Sequence, residues 1–251
     1  MNRLLAFAYG IAVYGFFQVT FLYAIGFVGN LIVPKAIDDG ASGQVIVAVL
    51  VNVALLGLFA VQHSVMARPA FKRRWTKIVP KPVERSTFVL FASAVLALLL
   101  WQWRPIPALV WSVEQPAAVF AIDFVFWLGW VLLLTSSFLI NHFELFGLRQ
   151  VWTRLTGLEP APQGFRTPLL YQHVRHPLYL GFMLGFWATP RMTAGHLLFA
   201  AGCSLYILIG IWFEERDLVA QVGDRYQAYR EQVSMLLPLP GKRADKWPAQ
   251  H

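Results

Sequence analysis

The sequence predicts an all-α, polytopic membrane helix bundle. It has about six hydrophobic segments, the last two forming a helical hairpin, followed by a C-terminal helical tail. Hydrophobic residues make up 57% of the 251 residues and charged residues only 14%, whereas soluble domains carry about 25% charged residues. The charges are also clumped, and residues 4–34 and 44–67 contain none. Since a helix needs about 20 apolar residues to cross the hydrocarbon core, both stretches are long enough to span a bilayer.

Four apolar segments form the predicted scaffold, residues 1–140. In order they are Leu4–Val28, Gln44–Met66, Ser86–Trp101 and Ala117–Ile140. The first is longer than the apolar core of a signal peptide, which has about 7–15 residues, so we expect it to be retained. The next apolar block, Pro177–Phe213, is too long for one span, and Pro190 interrupts it because proline breaks a helix interior. We predict a hairpin whose first helix ends near Ala188 and whose second begins near Thr193.

Loop charge predicts the orientation of the chain. Residues 68–85 carry seven Lys and Arg against one acid, and the connection at residues 141–176 carries four Arg. The loops at residues 33–43 and 103–116 have no excess of basic residues. By the positive-inside rule the basic loops lie in the cytoplasm, and six crossings then place both termini there. Topology and contact with anionic lipid headgroups explain the net charge of +8, so nucleic-acid binding is not expected.

The character of the polar residues changes after residue 140. Residues 141–241 are predicted to hold a cytoplasmic connection, the hairpin and the tail, and residues 242–251 are expected to be loose. Cys203, the only cysteine, falls inside the last predicted span, where we expect a small buried apolar residue rather than a catalytic one. The sequence leaves the oligomeric state open.

The first string with candidate chemistry is Arg175-His176-Pro177-Leu178-Tyr179-Leu180-Gly181. Proline favours the first position of a helix and moves the preceding residue out of the α region, so His176 is predicted at the N-cap of the fifth helix. A helix N-terminus attracts anions, which would suit a ligand with a carboxylate. The alternative is that the arginine and histidine only mark the level of the lipid headgroups.

The second string is Glu214-Glu215-Arg216-Asp217, followed by Tyr226 and Tyr229. Adjacent carboxylates directly after an apolar helix are costly to bury, whereas carboxylates and aromatic faces together would suit a cation. The spacing of three places both tyrosines on one helical face. The alternative is an ordinary solvated helix after the last span.

Together the two strings resemble the isoprenylcysteine carboxyl methyltransferase superfamily, which also includes phospholipid methyltransferases. The resemblance covers about residues 165–240 and implies that the hairpin and the tail enclose S-adenosylmethionine at the cytosolic face. The cofactor-binding residues that it implies are Arg175, His176, Pro177, Tyr179, Leu180 and Gly181 in the hairpin, with Glu214, Glu215, Tyr226 and Tyr229 as the closing wall.

Longer stretches resemble the bacterial methanethiol S-methyltransferases over nearly the whole chain, at residues 141–150, 164–168 and 236–240. Gln62-His63-Ser64, before Arg68-Pro69, resembles bacterial members that include the NnrU-like proteins. The family implies a multi-pass enzyme of the bacterial inner membrane, with its site facing the cytoplasm, that makes dimethyl sulfide.

Two positions depart from the related patterns. Ser234 stands where the methanethiol enzymes tend to have proline, which we interpret as a detail of a loop. Residues 210–213 lack the arginine that precedes the paired glutamates in the prenyl-cysteine enzymes. The second departure favours a small, neutral acceptor.

A thiol acceptor must lose its proton, because the thiolate is the nucleophile. His142 is the first candidate base, since histidine titrates near neutral pH, and its alternative is a histidine at headgroup level. His63 is the second candidate, and Arg166 would instead supply a positive field. Alignment of the two reactants is expected to contribute much of the acceleration.

Other interpretations remain open at this point. A metal or haem site would use His142, His173 and His176, but Pro177 interrupts the helix that would present the last two, so no metal is predicted. The chain would alternatively be a non-enzymatic membrane accessory of the NnrU type. A third alternative keeps the methyltransferase and changes the acceptor to prenyl-cysteine or a phospholipid.

Overall fold

The computed structural model describes residues 2–41, 43–158 and 168–241, and most of these residues are helical. Five of the described helices are long and apolar enough to cross a membrane, which confirms the predicted polytopic bundle. In chain order the elements are α1 (Arg3–Val28), α2 (Val45–Ala67), α3 (Pro69–Trp75), α4 (Lys81–Gln102), β1 (Leu109–Ser112), α5 (Pro116–Ile140), α6 (His142–Leu145), α7 (Leu148–Thr156), a 3-10 turn (Leu169–Gln172), α8 (Pro177–Trp187), β2 (Arg191–Thr193), α9 (Ala194–Val222) and α10 (Asp224–Gln232).

The predicted hairpin is present as α8 and α9, and its break lies where the sequence placed it. Helix α8 has 11 residues, so it is about 16 Å long, shorter than the hydrocarbon core. Helix α9 does not end at Phe213 but continues to Val222. Glu214 and Glu215 therefore lie on the same rigid helix as the last span, and not in a separate tail.

One end of the bundle is closed by a small sheet that the sequence analysis did not predict. β1 pairs antiparallel with β2, and Thr193 Oγ1 donates to Asp38 Oδ1 at 2.6 Å. The fully buried Asn52 accepts from the Arg104 N–H at 2.9 Å and donates to the Arg104 carbonyl at 2.8 Å. We call this region the sheet end, and its residues are 29–41, 43–44, 103–115 and 188–193, together with Asn52 of α2.

The opposite end gathers the basic loops and the tail. Arg85 Nε donates to the Leu145 carbonyl at 2.7 Å, which joins the start of α4 to α6. Arg68 lies 3.4 Å from Asp217 and joins the loop after α2 to α9. We call this region the basic end, and its residues are 68–80, 141–158, 168–176 and 214–241.

Helices α5 and α8 approach each other closely at glycines. A Cβ on Gly181 would lie 2.6 Å from the Gly129 carbonyl oxygen and 2.7 Å from the Leu133 nitrogen. A Cβ on Gly129 would in turn lie 2.8 Å from the Gly181 carbonyl oxygen. Small residues permit this backbone contact between membrane helices, and the contact fixes the beginning of α8 against α5.

The tail folds back onto the basic end after Gly223, whose φ of +69° suits a residue without a Cβ. Tyr226 and Tyr229 lie on one face of α10, as their spacing predicted, and the structure buries them together against apolar residues of α9. Beyond α10, the Ser234 carbonyl accepts from the N–H of Arg175 at 2.8 Å. The chain thus returns to the N-terminus of α8. The predicted loose segment, residues 242–251, lies outside the described residues.

Candidate active site

His176 is the N-cap of α8 and Pro177 is its first residue, as the sequence predicted. The His176 side chain does not cap the helix; its Nε2 instead lies 3.1 Å from Glu215 Oε1 of α9. Proline has no N–H, so the first turn of α8 presents the N–H groups of Leu178 and Tyr179 ahead of the first helical bond, from Leu180 to the His176 carbonyl.

Glu215 is the centre of a buried ionic cluster. Its Oε1 accepts from Arg175 Nε at 2.7 Å, and its Oε2 lies 3.2 Å from Arg230 Nε. The side chains of Glu215 and Arg175 are only 9% and 10% exposed, so each charge depends on its partners for compensation. Arg175 also donates to the carbonyls of Arg230 and Val233. The cluster therefore ties α8, α9 and the tail together.

Glu214 has a different environment from its neighbour. Tyr179 Oη donates to Glu214 Oε2 at 2.8 Å, and His176 Nδ1 lies 4.0 Å from the same oxygen. The Glu214 side chain is 44% exposed. An accessible carboxylate beside an aromatic ring is an arrangement that attracts cations.

Three tyrosines form a wall behind these carboxylates. The rings of Tyr226 and Tyr229 are 5.8 Å apart, and Tyr229 Oη donates to the carbonyl of Tyr171 in the 3-10 turn. Burial raises the pKa of all three phenols, so they stay protonated at neutral pH. Tyr171 was not among the predicted site residues, because a lone tyrosine in a long connection carries no recognisable pattern.

His142 lies at the end of α5 with both ring nitrogens in contact with hydroxyl groups. Nε2 is 2.8 Å from Tyr14 Oη and Nδ1 is 2.9 Å from Ser137 Oγ. The ring stacks on Phe138 with centroids 4.3 Å apart, and the side chain is 4% exposed. Burial lowers the pKa of His142, so the imidazole is neutral near pH 7. These contacts do not suit a histidine that only marks headgroup level.

His63 lies within α2 in a separate aromatic environment. Its ring is 5.4 Å from the Phe59 ring, 4.9 Å from Phe88 and 6.3 Å from Tyr206 of α9. Ser64 donates to the Tyr206 hydroxyl at 3.4 Å. Tyr206 was not among the predicted site residues, because it lies in a predicted span. Arg166, the third candidate catalytic residue, lies outside the described residues.

Leu180 and Gly181 lie on the side of α8 that faces α5. Gly181 lies in the glycine contact with α5, and Leu180 lines an apolar groove of about 940 Å³ between α5, α8 and residues 234–239. The geometry gives Gly181 a packing role, and direct cofactor contact by these two residues stays a prediction.

The three histidines of the alternative metal site have separate partners. His173 is exposed and its Nδ1 faces the Leu169 carbonyl at 3.2 Å, while His142 and His176 have the contacts given above. Among the described residues, no group of three His, Cys, Asp or Glu side chains is arranged to hold a metal ion.

Comparison with known proteins shows the family. No family model and no solved structure matches the chain. It is 58% identical to a methanethiol S-methyltransferase of Mycobacterium tuberculosis over 240 residues, 96% of this chain and 98% of that protein. It is 58% identical to methanethiol S-methyltransferase 1 of Bradyrhizobium diazoefficiens over 94% of this chain and 83% of that protein.

More distant relatives extend the comparison. A methanethiol S-methyltransferase of Crocosphaera subtropica is 49% identical over 97% of this chain and 96% of that protein. Human Nurim is 30% identical over 66% of each chain. Identities near one half or above, over nearly the full length of several relatives, confirm the resemblance: the chain belongs to the methanethiol S-methyltransferases, a family of membrane methyltransferases.

Proposed function

We propose that the chain transfers the methyl group of S-adenosylmethionine to methanethiol, giving dimethyl sulfide and S-adenosylhomocysteine. The observation that carries this proposal is that the two candidate segments, the one beginning at Arg175 and the one beginning at Glu214, meet at one site. They do so in a chain that is 58% identical to named methanethiol S-methyltransferases. When bound, S-adenosylmethionine supplies the electrophilic methyl group. The residues of the chain must bind this donor, orient the thiol and accept its proton.

The donor set around α8 fits such a cofactor. Glu214 and Tyr179 offer an exposed carboxylate and an aromatic ring to positive charge. The N–H groups of Leu178 and Tyr179 at the start of α8 would suit a carboxylate. Tyr226 and Tyr229 are buried behind these groups and would support them.

Arg175 and Glu215 have a supporting role in this proposal. Their side chains are buried against each other, and their contacts hold the tail over the entrance of α8. We therefore assign direct cofactor contact to Glu214 and Tyr179. The buried pair, together with the equally buried His176, keeps these groups in place.

The orientation follows from the charge of the basic end. Its Lys and Arg residues lie in loops that the positive-inside rule places in the cytoplasm. In a bacterial inner membrane the site would then face the compartment in which S-adenosylmethionine is made.

The test is product formation by purified protein in lipid nanodiscs. With S-adenosylmethionine and methanethiol we expect dimethyl sulfide by gas chromatography, and with a prenyl-cysteine or a phospholipid amine we expect no methylated product. Glu214→Gln should weaken binding of S-adenosylhomocysteine in calorimetry, whereas Glu231→Gln, a change at an exposed glutamate of α10, should not. Absence of cofactor binding by the unmodified protein would overturn the proposal and favour a non-enzymatic accessory.

A further inference from the structure

The proposed function leaves open which group receives the proton of the thiol. We propose that Tyr14 is a catalytic residue: its hydroxyl takes the thiol proton while its own proton passes to His142, which Ser137 holds in the required tautomer. This inference rests on the proposed function and adds the identity and order of the proton-accepting groups.

The contacts of Ser137 fit the tautomer of His142 that this role requires. Ser137 Oγ lies 2.7 Å from the Leu134 carbonyl and 2.9 Å from His142 Nδ1, and it has a single proton to donate. In the proposed arrangement Ser137 donates that proton to the carbonyl and accepts from Nδ1, which carries the ring proton. Nε2 of the neutral ring then has a lone pair, and it accepts the hydrogen bond of Tyr14 Oη at 2.8 Å.

Exposure shows which member of the pair a thiol would meet. His142 is 4% exposed, and both of its ring nitrogens are engaged. The imidazole therefore has no free lone pair that could take the proton of a thiol directly. Tyr14 is half-buried, and its oxygen retains an acceptor lone pair while it donates to His142. Because Tyr14 is the less buried member of the pair, we assign contact with the thiol to Tyr14 Oη and the role of proton store to His142.

The surroundings of the pair suit a small apolar thiol close to the proposed cofactor site. Phe146 lies 4.7 Å from the His142 ring and stacks on Phe17 at 4.0 Å. The connection to the cofactor wall is short: Tyr171 Oη donates to the carbonyl of Ser136, the residue before Ser137, at 3.5 Å. Tyr171 in turn accepts from Tyr229.

The step balances with the reactants of the proposed function alone. The S–H bond of methanethiol breaks and its proton joins Tyr14 Oη, as the Tyr14 O–H bond breaks and that proton joins His142 Nε2. The thiolate sulfur forms the new bond to the methyl carbon, and the electron pair of the broken carbon–sulfur bond stays on the donor sulfur. The imidazolium later returns its Nε2 proton to Tyr14 Oη, which passes a proton to solvent, so Tyr14 and His142 return to their starting state.

The decisive experiment varies how much the acceptor needs a base. Methaneselenol is ionised below neutral pH, whereas methanethiol is not, and both are small enough for the same site. Tyr14→Phe should lower kcat/KM for methanethiol by about 100-fold or more, the usual contribution of a general base, but should leave kcat/KM for methaneselenol close to that of the unmodified protein. Tyr9→Phe is the matched control, since Tyr9 lies on the same helix and bonds Thr87 at 3.1 Å, away from His142.

Two further measurements separate catalysis from a structural role. The double variant Tyr14→Phe with His142→Gln should be no less active toward methanethiol than the less active of the two single variants, because the two groups act as a unit. The ¹⁵N spectrum of the protein should show His142 with its proton on Nδ1, and Ser137→Ala should shift that signal.

The outcomes distinguish this inference from the proposed function. If the unmodified protein forms no dimethyl sulfide, the proposed function fails. If it does, and Tyr14→Phe either keeps full activity or loses equal activity toward the thiol and the selenol, the proton-transfer role of Tyr14 is wrong. Unchanged binding of S-adenosylhomocysteine by Tyr14→Phe in calorimetry verifies that the variant is folded.

Discussion

At the sheet end the contacts that join the loops involve mostly backbone groups, whereas at the basic end charged side chains converge. The Asn52 amide bonds both backbone groups of Arg104, and β1 pairs with β2. At the opposite end Glu215 contacts Arg175, His176 and Arg230. Backbone pairing fixes loops without offering reactive groups, while the ionic cluster brings functional groups from distant segments together. The contacts that close the bundle and the candidate chemistry therefore lie at opposite ends of the long helices.

The largest effect at the basic end is expected from removing the centre of the ionic cluster. Glu215→Ala leaves Arg175 buried without its partner, and loss of one member of a buried pair costs about 3–5 kcal/mol. We expect a much lower unfolding temperature in detergent and no detectable binding of S-adenosylhomocysteine. Glu231→Ala, at an exposed glutamate of α10, is the control, and equal effects of the two changes would contradict the role of the cluster.

The glycine contact tests whether α5 positions the entrance of α8. In Gly181→Ala the new Cβ would lie 2.6 Å from the Gly129 carbonyl oxygen, and backbone cannot yield as a flexible side chain does. We expect a loss of about 1–3 kcal/mol, typical of overpacking, together with weaker cofactor binding because α8 shifts.

The control for this change is Gly210→Ala in α9, where a Cβ would meet nothing within 4 Å. Alanine favours a helix more than glycine does, so Gly210→Ala should leave stability unchanged or slightly raised. Comparable losses at both positions would remove the argument for close α5–α8 packing.

The sheet end should lose stability without losing ligand binding. Asn52→Ala leaves the backbone groups of Arg104 without their partner, which costs about 1–3 kcal/mol for buried polar groups. Thermal unfolding should shift, and calorimetry with S-adenosylhomocysteine should not. Ser112→Ala, at an exposed position of β1, should change neither. If Asn52→Ala weakened binding as much as Glu215→Ala, the separation of the two ends would be wrong.

Exposed charge pairs at the basic end should contribute least to stability. Arg68 and Asp217 are 3.4 Å apart with side chains 38% and 53% exposed. A double-mutant cycle with Arg68→Ala and Asp217→Ala should give a coupling of about 0.2–1 kcal/mol, and high salt should reduce it. A coupling as large as the effect of Glu215→Ala would show that burial does not separate these pairs.

Local sequence patterns were sufficient to predict the membrane helices and the ends of the hairpin helices. The apolar runs predicted the membrane helices, Pro190 predicted the break of the hairpin, and Pro177 predicted the N-cap at His176, because each effect acts within a few residues. The spacing of Tyr226 and Tyr229 likewise predicted that the two rings share one helical face. The paired carboxylates were recognised as candidates because charge is conspicuous at the end of an apolar helix.

The tertiary structure alone decided how these pieces are used. It gives the adjacent residues Glu214 and Glu215 different environments, by leaving one accessible and burying the other. It also brings Tyr14 to His142 across 128 positions of the chain. A tyrosine inside an apolar segment looks the same whether it faces lipid or a distant histidine, because local pattern records hydrophobicity but not which helices become neighbours.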